Sequence, residues 1–512
     1  MRPARGGYGY GSESSMSDTQ VVGPAPAVPE SETERADGGP LGIKGLAWAI
    51  FEGARNPYYN LIVIYVFAPY FAKELAGGGE HGLSLSGLTV TLAGIATALT
   101  APFLGVIADK AGRRKPPIAF FMTLMFICSF SLWWARPDGP LTMWPTMAVL
   151  AIAYCCYGYS EVLHNAMLPN AGRPSALPYI SGLGLSMGNI LSVGILIFFL
   201  FGLLLPGTGL PFAPAKQVIQ LDRETFAPER FAGPFVAVWM AVLLIPFFLF
   251  MPDGIKGGRS MTWKQAAADV FRGEDRHSGK AQNPFQRAKV LLGYLKGLFK
   301  DHPQTMRFLV ARTIYADAMS ALLTLGAVYA GTFLGWSGVE ILFFGITGVL
   351  FGAVGGFMGG YLDRLLGPKL ALVWEISALV ILLLAQLSIT PDALFFGLLP
   401  ANTPIWDSPF FSTLSDITYF LFVIPVAIAV VASISSSRYM LVHIAPSERI
   451  GEFFGLYAIA GTVTVWMGPG IVSLLTWLTG NQRIGMGGIG FMFLAGLIIL
   501  WKVHAPKRGF ED

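Results

Sequence analysis

The chain has 512 residues, of which 54% are hydrophobic and only 13% charged, with a formal net charge of +4. A soluble chain carries about a quarter charged residues, so this composition excludes an ordinary soluble globular protein. It also shows no phosphate-binding glycine loop, no metal-ligand cluster and no nucleophile–base pairing; an enzyme, a metalloprotein, an ATP-driven pump and a nucleic-acid binder are not expected.

Residues 1–43 are rich in Gly, Pro, Ser and acids and lack any apolar run, which predicts a disordered tail rather than a signal peptide. The stretch "MSDTQ" at Met16 resembles an ordinary start, leaving Met1 and Met16 as alternative beginnings. Beyond it, runs of about 20 apolar residues recur, each long enough to cross ~30 Å of hydrocarbon as a helix. The expected spans 1–6 cover about 45–73, 84–108, 116–135, 141–168, 176–205 and 232–252. Spans 7–12 cover about 307–334, 338–362, 368–389, 412–445, 450–479 and 484–504. The fold class expected is therefore an all-α polytopic membrane protein, with about twelve transmembrane helices in two six-helix bundles. The bundles occupy 44–252 and 307–504, joined by a polar linker, 253–306, and followed by a short tail, 505–512. Within the linker, 284–300 reads as an amphipathic helix lying on the membrane surface or packed under a bundle. Cys128, Cys155 and Cys156 all fall inside apolar runs, so no disulfide framework is implied.

Charge sets the orientation. With both termini on one side, the short connections there carry Lys110, Arg113, Arg114, Lys115, Arg173, Arg364, Lys369, Arg449, Lys502, Lys507 and Arg508. The linker adds ten more between Lys256 and Lys300, whereas the other side holds Lys73, Arg136, Lys216, Arg223, Arg230 and Arg483. The positive-inside rule places both termini in the cytoplasm, and the expectation is a plasma (inner) membrane protein that acts as a monomer, with lipid, a small solute and protons as its partners.

Two charged connections share a pattern. "GVIADKAGRRK" (105–115) joins spans 2 and 3, and "GGYLDRLLGPK" (359–369) joins spans 8 and 9. Gly105 and Gly112 suit a tight turn between close helices, Asp109 ends span 2 beside Arg113 and Arg114, and Asp363, Arg364 and Gly367 form a fainter copy. This pattern resembles the signature loop of the major facilitator superfamily, and its repeat is what an internal duplication leaves. Four further stretches resemble the vacuole-effluxer branch, the autophagy-related amino-acid effluxers and their bacterial relatives. They are "WAIFEGARNPYYNLIVIYVFAPYFA", "LHNAMLPN", "FLVARTIYADAMSALLTLGAVYA" and "SSSRYMLVHIAPSERIGEFFGLY", and the likeness runs from about Leu46 to Arg483. The chain departs from the family pattern at Arg55, Pro57, His164 and Asn170.

Charges inside spans are costly and mark function. Here they are Glu52 and Arg55 (span 1), Glu161 (span 4), Arg312 and Asp317 (span 7) and Arg438 (span 10). The resemblance implies that spans 1, 4, 7 and 10 line a central cavity, where Asn56, His164 and Asn165 also fall. At ~1.5 Å per residue all but Asp317 lie about 8–15 Å inside the cytoplasmic boundary. That level suits a gate, with Glu161 paired to Arg438, and Glu52 to Arg312 or Arg55. Asp317, nearer the midplane, suits a proton or a substrate amine. Asp109 is expected to meet Arg449 or the first turn of span 11. The function expected is secondary transport of a small polar solute, amino acids among the candidates, by alternating access with an ion gradient, protons foremost, and no cofactor. A sugar–cation symporter and a transport-inactive sensor or scaffold are the alternatives.

Overall fold

The computed structural model describes residues 41–77, 79–207, 214–253, 261–272, 293, 296–336, 338–401, 403–407, 410–459 and 467–505. Among them, ten helices are long and apolar enough to cross a membrane. They are spans 2 (Gly79–Ala111), 3 (Lys115–Ser131), 4 (Met143–Ala166), 5 (Leu177–Phe199), 6 (Ala227–Leu243 and Ile245–Phe250) and 7 (Pro303–Phe333), followed by 8 (Gly338–Leu366), 9 (Pro368–Leu387), 10 (Leu414–Ile444) and 12 (Gln482–Trp501). Of span 11, the helical segments Ile450–Ile459 and Met467–Thr479 are described.

Span 1 begins as the helix Gly42–Pro57 and widens into π turns over Tyr58–Tyr65. Pro57 has no N–H, so the carbonyl four residues back loses its helical partner. That carbonyl belongs to Gly53, and it accepts a hydrogen bond from Trp239 Nε1 of span 6 at 3.0 Å. The helix thus widens just after Asn56-Pro57, and span 6 takes up the freed carbonyl.

Each half has its own apolar core. Trp48, Phe51, Phe67, Met125, Phe199 and Phe247 lie in one, and Phe308, Tyr315, Ile376, Leu383, Met440 and Phe493 in the other. Leu99, Phe120, Leu249, Trp374 and Phe491 stay exposed on the outside, where a bilayer covers them.

The halves meet along two seams at the end that carries the basic connections. A methyl group on Gly182 of span 5 would strike the Gly356 carbonyl of span 8, and one on Gly360 would come within 2.7 Å of the Pro178 carbonyl. Ser186 Oγ donates to Ala353 O at 2.6 Å across the same seam. On the other seam, a methyl on Gly105 of span 2 would strike the Gly451 carbonyl, and one on Gly455 would sit 2.6 Å from Pro102. Small residues let these backbones touch. Toward the opposite end, a cavity of about 90 Å³ separates spans 1, 5 and 8, lined by Tyr65, Val66, Val193, Leu200, Ile346 and Val349.

Two details lie beyond the helical plan. A two-residue antiparallel pairing, Ala393–Leu394 with Leu399–Pro400, folds the connection between spans 9 and 10. In the linker, the helix Trp263–Arg272 tucks under span 2, with Trp263 Nε1 donating to Arg113 O at 3.0 Å and Ala266 packed on Ile107 and Ala111. Most of the amphipathic stretch 284–300, and residues 1–40, lie outside the described residues.

Candidate functional site: a buried charge network between the bundles

Glu52 and Arg55 sit three apart in span 1 and so share a helical face. Arg55 Nη2 donates to Glu52 Oε2 at 2.7 Å, and Arg55 Nη1 to Glu161 Oε2 of span 4 at 3.2 Å. The other oxygen of Glu52, Oε1, lies 2.8 Å from Arg438 Nη2 of span 10. One buried carboxylate thus holds an arginine from each half. Glu52, Arg55 and Arg438 are all at most 3% exposed. Burying charge costs several kcal/mol per ion unless each is paired, and this network pairs them in alternation.

Aromatic rings hold the network in place. The Arg55 guanidinium lies over the Tyr157 ring at 4.2 Å, and Tyr157 Oη donates to Asn56 Oδ1 at 3.1 Å. His164 is clamped between the rings of Trp48 and Phe51, with centroids 4.2 and 4.1 Å away. Trp48 and His164 also bond reciprocally: Trp48 Nε1 donates to His164 O at 3.0 Å, and His164 Nε2 lies 2.9 Å from Trp48 O. His164 Nδ1 faces Glu52 Oε1 at 3.7 Å. Asn165 is buried beside it, with its side-chain oxygen unpartnered among the described residues.

The pairings differ from those expected by level alone. Glu161 meets Arg55 rather than Arg438, and Glu52 meets Arg55 and Arg438 rather than Arg312. Arg312 instead lies flat on Tyr457 of span 11 at 3.3 Å and donates to Tyr457 O at 2.9 Å. It meets no carboxylate among the described residues. Asp317 Oδ2 accepts the N–H of Gly468 in span 11 at 3.0 Å, while its Oδ1 is buried with no partner among the described residues.

The signature loop forms a strap. Asp109 accepts from Gly451 N at 3.0 Å and Glu452 N at 2.8 Å, in the first turn of span 11, and also binds Arg114 Nη2. Arg449 does not reach Asp109; it forks onto Glu452 with two bonds of 2.8 Å. Gly112 takes φ +70°, which glycine adopts without strain. Arg113 contributes its carbonyl to Trp263. In the second copy, Asp363 is fully buried beside Ser436 and Glu375, with no salt-bridge partner among the described residues, while Arg364 turns away onto the Tyr179 ring at 5.5 Å.

Sequence reasoning passed over Trp48, Tyr157 and Tyr457, the aromatic partners of these charges. A signal was present: Trp48 precedes Glu52, and Tyr157 precedes Glu161, by four residues, one helical turn on the same face.

This architecture has known counterparts. The profile of the family described as "Vacuole effluxer Atg22 like" matches residues 74–511. An uncharacterized MFS-type transporter, YxiO of Bacillus subtilis, is 21% identical over 479 residues, covering 91% of this chain and 95% of that protein. Autophagy-related protein 22-2 of Emericella nidulans is 26% identical over 214 residues, covering 40% of this chain and 33% of that protein. Among solved structures, the proton:xylose symporter XylE superposes with a TM-score of 0.62 at 13% identity, over 90% of this chain and 95% of that one. A bacterial homologue of the iron transporter ferroportin in an outward-facing state gives 0.59 at 14% identity, over 90% and 99%. With that match across most of its length and twelve passages in two bundles, the chain belongs to the Atg22-like vacuole effluxer family of the major facilitator superfamily, a family of transporters.

Proposed function

We propose that this protein is a secondary active transporter that carries a small zwitterionic solute of the amino-acid class by alternating access. The observation that supports this reading most directly is the buried contact between Glu52 of the first half and Arg438 of the second. A charge pair spanning the two halves forms when one end closes and separates when that end opens, so its energy acts on one side of the cycle. Both termini face the cytoplasm of a plasma (inner) membrane on the charge-bias argument, and the packed end is then the cytoplasmic one. The protein works as a monomer.

The solute class follows from what the network leaves open. Glu161 has a side chain 36% exposed, against 1–3% for Glu52, Arg55 and Arg438, so it can meet an ammonium group. Arg312, half-buried on Tyr457 without a carboxylate partner among the described residues, suits the solute carboxylate. Energy comes from a proton gradient, with Asp317 as the membrane-embedded carboxylate that couples it. Thermal shift of the purified protein across amino acids, peptides and sugars tests the class. Stabilisation by free amino acids, lost in Glu161→Gln and Arg312→Gln, supports it; stabilisation by sugars alone overturns it. Counterflow in vesicles then separates a transporter from a transport-inactive sensor.

A further inference from the structure

We propose that His164 is a proton-binding site that takes the place of Arg438 on Glu52 when the two halves part. The proposal rests on the reading of Glu52–Arg438 as the closing contact, and adds the ion that replaces the arginine.

The geometry carries it. His164 Nε2 lies 2.9 Å from the Trp48 carbonyl, which only accepts, so Nε2 bears a hydrogen. In a neutral ring Nδ1 then carries a lone pair, and it faces Glu52 Oε1, 3.7 Å away, with no other partner among the described residues. Two acceptors face each other with no hydrogen between them. Arg438 Nη2 approaches the same oxygen at 2.8 Å and supplies the cation that makes this arrangement tolerable.

The charge balance changes once Arg438 withdraws. In the closed form Glu52 and Glu161 are matched by Arg55 and Arg438. Without Arg438 the first half retains two carboxylates and one arginine, an unmatched negative charge in a buried place. One proton on Nδ1 cancels it and creates an Nδ1–H···Oε1 bond once the two side chains close the 3.7 Å gap by about 0.8–1 Å. While Arg438 is seated, the same proton would add a third cation beside Arg55 and Arg438, so proton and arginine exclude each other. Among the described residues no other titratable group intervenes: span 1 presents Trp48, Phe51, Glu52 and Arg55, span 10 Arg438, span 6 Phe247, and span 5 places Gly184 against Trp48 and Glu52. The proton enters from the cytoplasmic cavity when the end opens and returns there, or to a neighbouring acceptor, as Arg438 reseats.

A ligand that binds only the open form shifts the equilibrium toward it, by at most about tenfold per pH unit for a single proton. The test uses the full chain in proteoliposomes. Donor and acceptor dyes are placed on Ser175→Cys and Ser447→Cys, exposed positions on connections of the two halves, in a background without native cysteines. Between about pH 8 and pH 5.5 the cytoplasmic end of the wild type should open progressively, and His164→Gln should be flat. A pH response that persists unchanged in His164→Gln, or a wild type without one, overturns the proposal. Arg438→Gln reports on the underlying reading: an open end at every pH supports the closing contact, and wild-type behaviour rejects that contact independently of His164. Nitrogen-15 labelling of the six histidines gives a second readout that does not depend on His164→Gln folding well. An imidazolium signal from His164 should appear in Arg438→Gln at a pH where the wild type shows a neutral ring; a neutral ring in both overturns the proposal.

Discussion

Glu52 and Arg438 lie 2.8 Å apart although they belong to opposite halves of the chain, and each is almost completely buried. Removing one partner of such a pair strands the other and typically costs ~3–5 kcal/mol. Arg438→Gln should therefore destabilise the closed form strongly and raise the reactivity of cytoplasmic-cavity cysteines toward thiol reagents. Exchanging the charges, Glu52→Arg with Arg438→Glu, should not restore it, because the new arginine would sit one turn from Arg55. Unchanged reactivity in Arg438→Gln would show the pair to be static.

Glu161→Gln should behave more mildly. Its side chain is 36% exposed and its partner Arg55 keeps Glu52, so solvent screens much of the interaction. A stability loss of about 1 kcal/mol or less is expected, with the larger effect on solute binding. Melting temperature and solute affinity measured on the same preparation check this, and a loss of several kcal/mol would place Glu161 inside the structural network.

Asp109→Asn should weaken the strap between spans 2 and 11. The carboxylate accepts two N–H groups from the first turn of span 11 and a bond from Arg114. Loss of its charge at a helix N-terminus is worth about 1–2 kcal/mol, which corresponds to about a 5- to 30-fold shift toward the open form. Dye distances between the cytoplasmic ends of the two halves measure that shift.

Gly356→Ala tests the other seam. Its added methyl would meet the Gly182 carbonyl at 2.6 Å, as well as crowding Ser186. Overpacking of this kind costs typically ~1–3 kcal/mol, borne by the closed form. Transport should slow while the unfolding temperature of each half changes little; a wild-type rate would mean that the seam separates without cost.

Asp317→Asn should abolish proton-driven accumulation and spare solute exchange. The amide still offers an oxygen to Gly468 N, so that bond to span 11 is retained while the ionisable group is lost. Reconstituted vesicles with and without a pH gradient separate the two activities, and intact proton-driven uptake would remove Asp317 from coupling.

The membrane assignment itself predicts that a cysteine at Ala215 reacts with an impermeant reagent from outside and one at Ser278 does not.

Composition and run length were enough to anticipate the helices, because lipid offers the polar N–H and C=O groups of an apolar run no partners outside the segment. The same rule shows where legibility stopped. Rise per residue places Glu52, Glu161, Arg312 and Arg438 at one level, but it carries no information about which way each side chain points around its helix. The rings of Trp48 and Tyr157 determine that, and they led to Arg55 rather than Arg438 as the partner of Glu161. Asp363 is a different case. Arg114, five residues after Asp109, binds it, while the residue five after Asp363 is Pro368, which has no cation to offer. The contrast was visible in the sequence, but only the contacts of Asp109 reveal which arginine matters. The carbonyl released by Pro57 was likewise foreseeable, whereas its capture by Trp239 depends on how span 6 packs.

That drift between the two copies has a mechanical result. At spans 2 and 11, directional bonds from a single carboxylate fasten the halves; at spans 5 and 8, bare backbone lies against backbone with Ser186 as its polar tie. The closed end is thus held by two unlike edges, a directional catch on one and a close backbone fit on the other. Substitutions at the catch remove bonds one at a time, whereas a single added methyl at the fitted edge keeps the two surfaces from meeting at all.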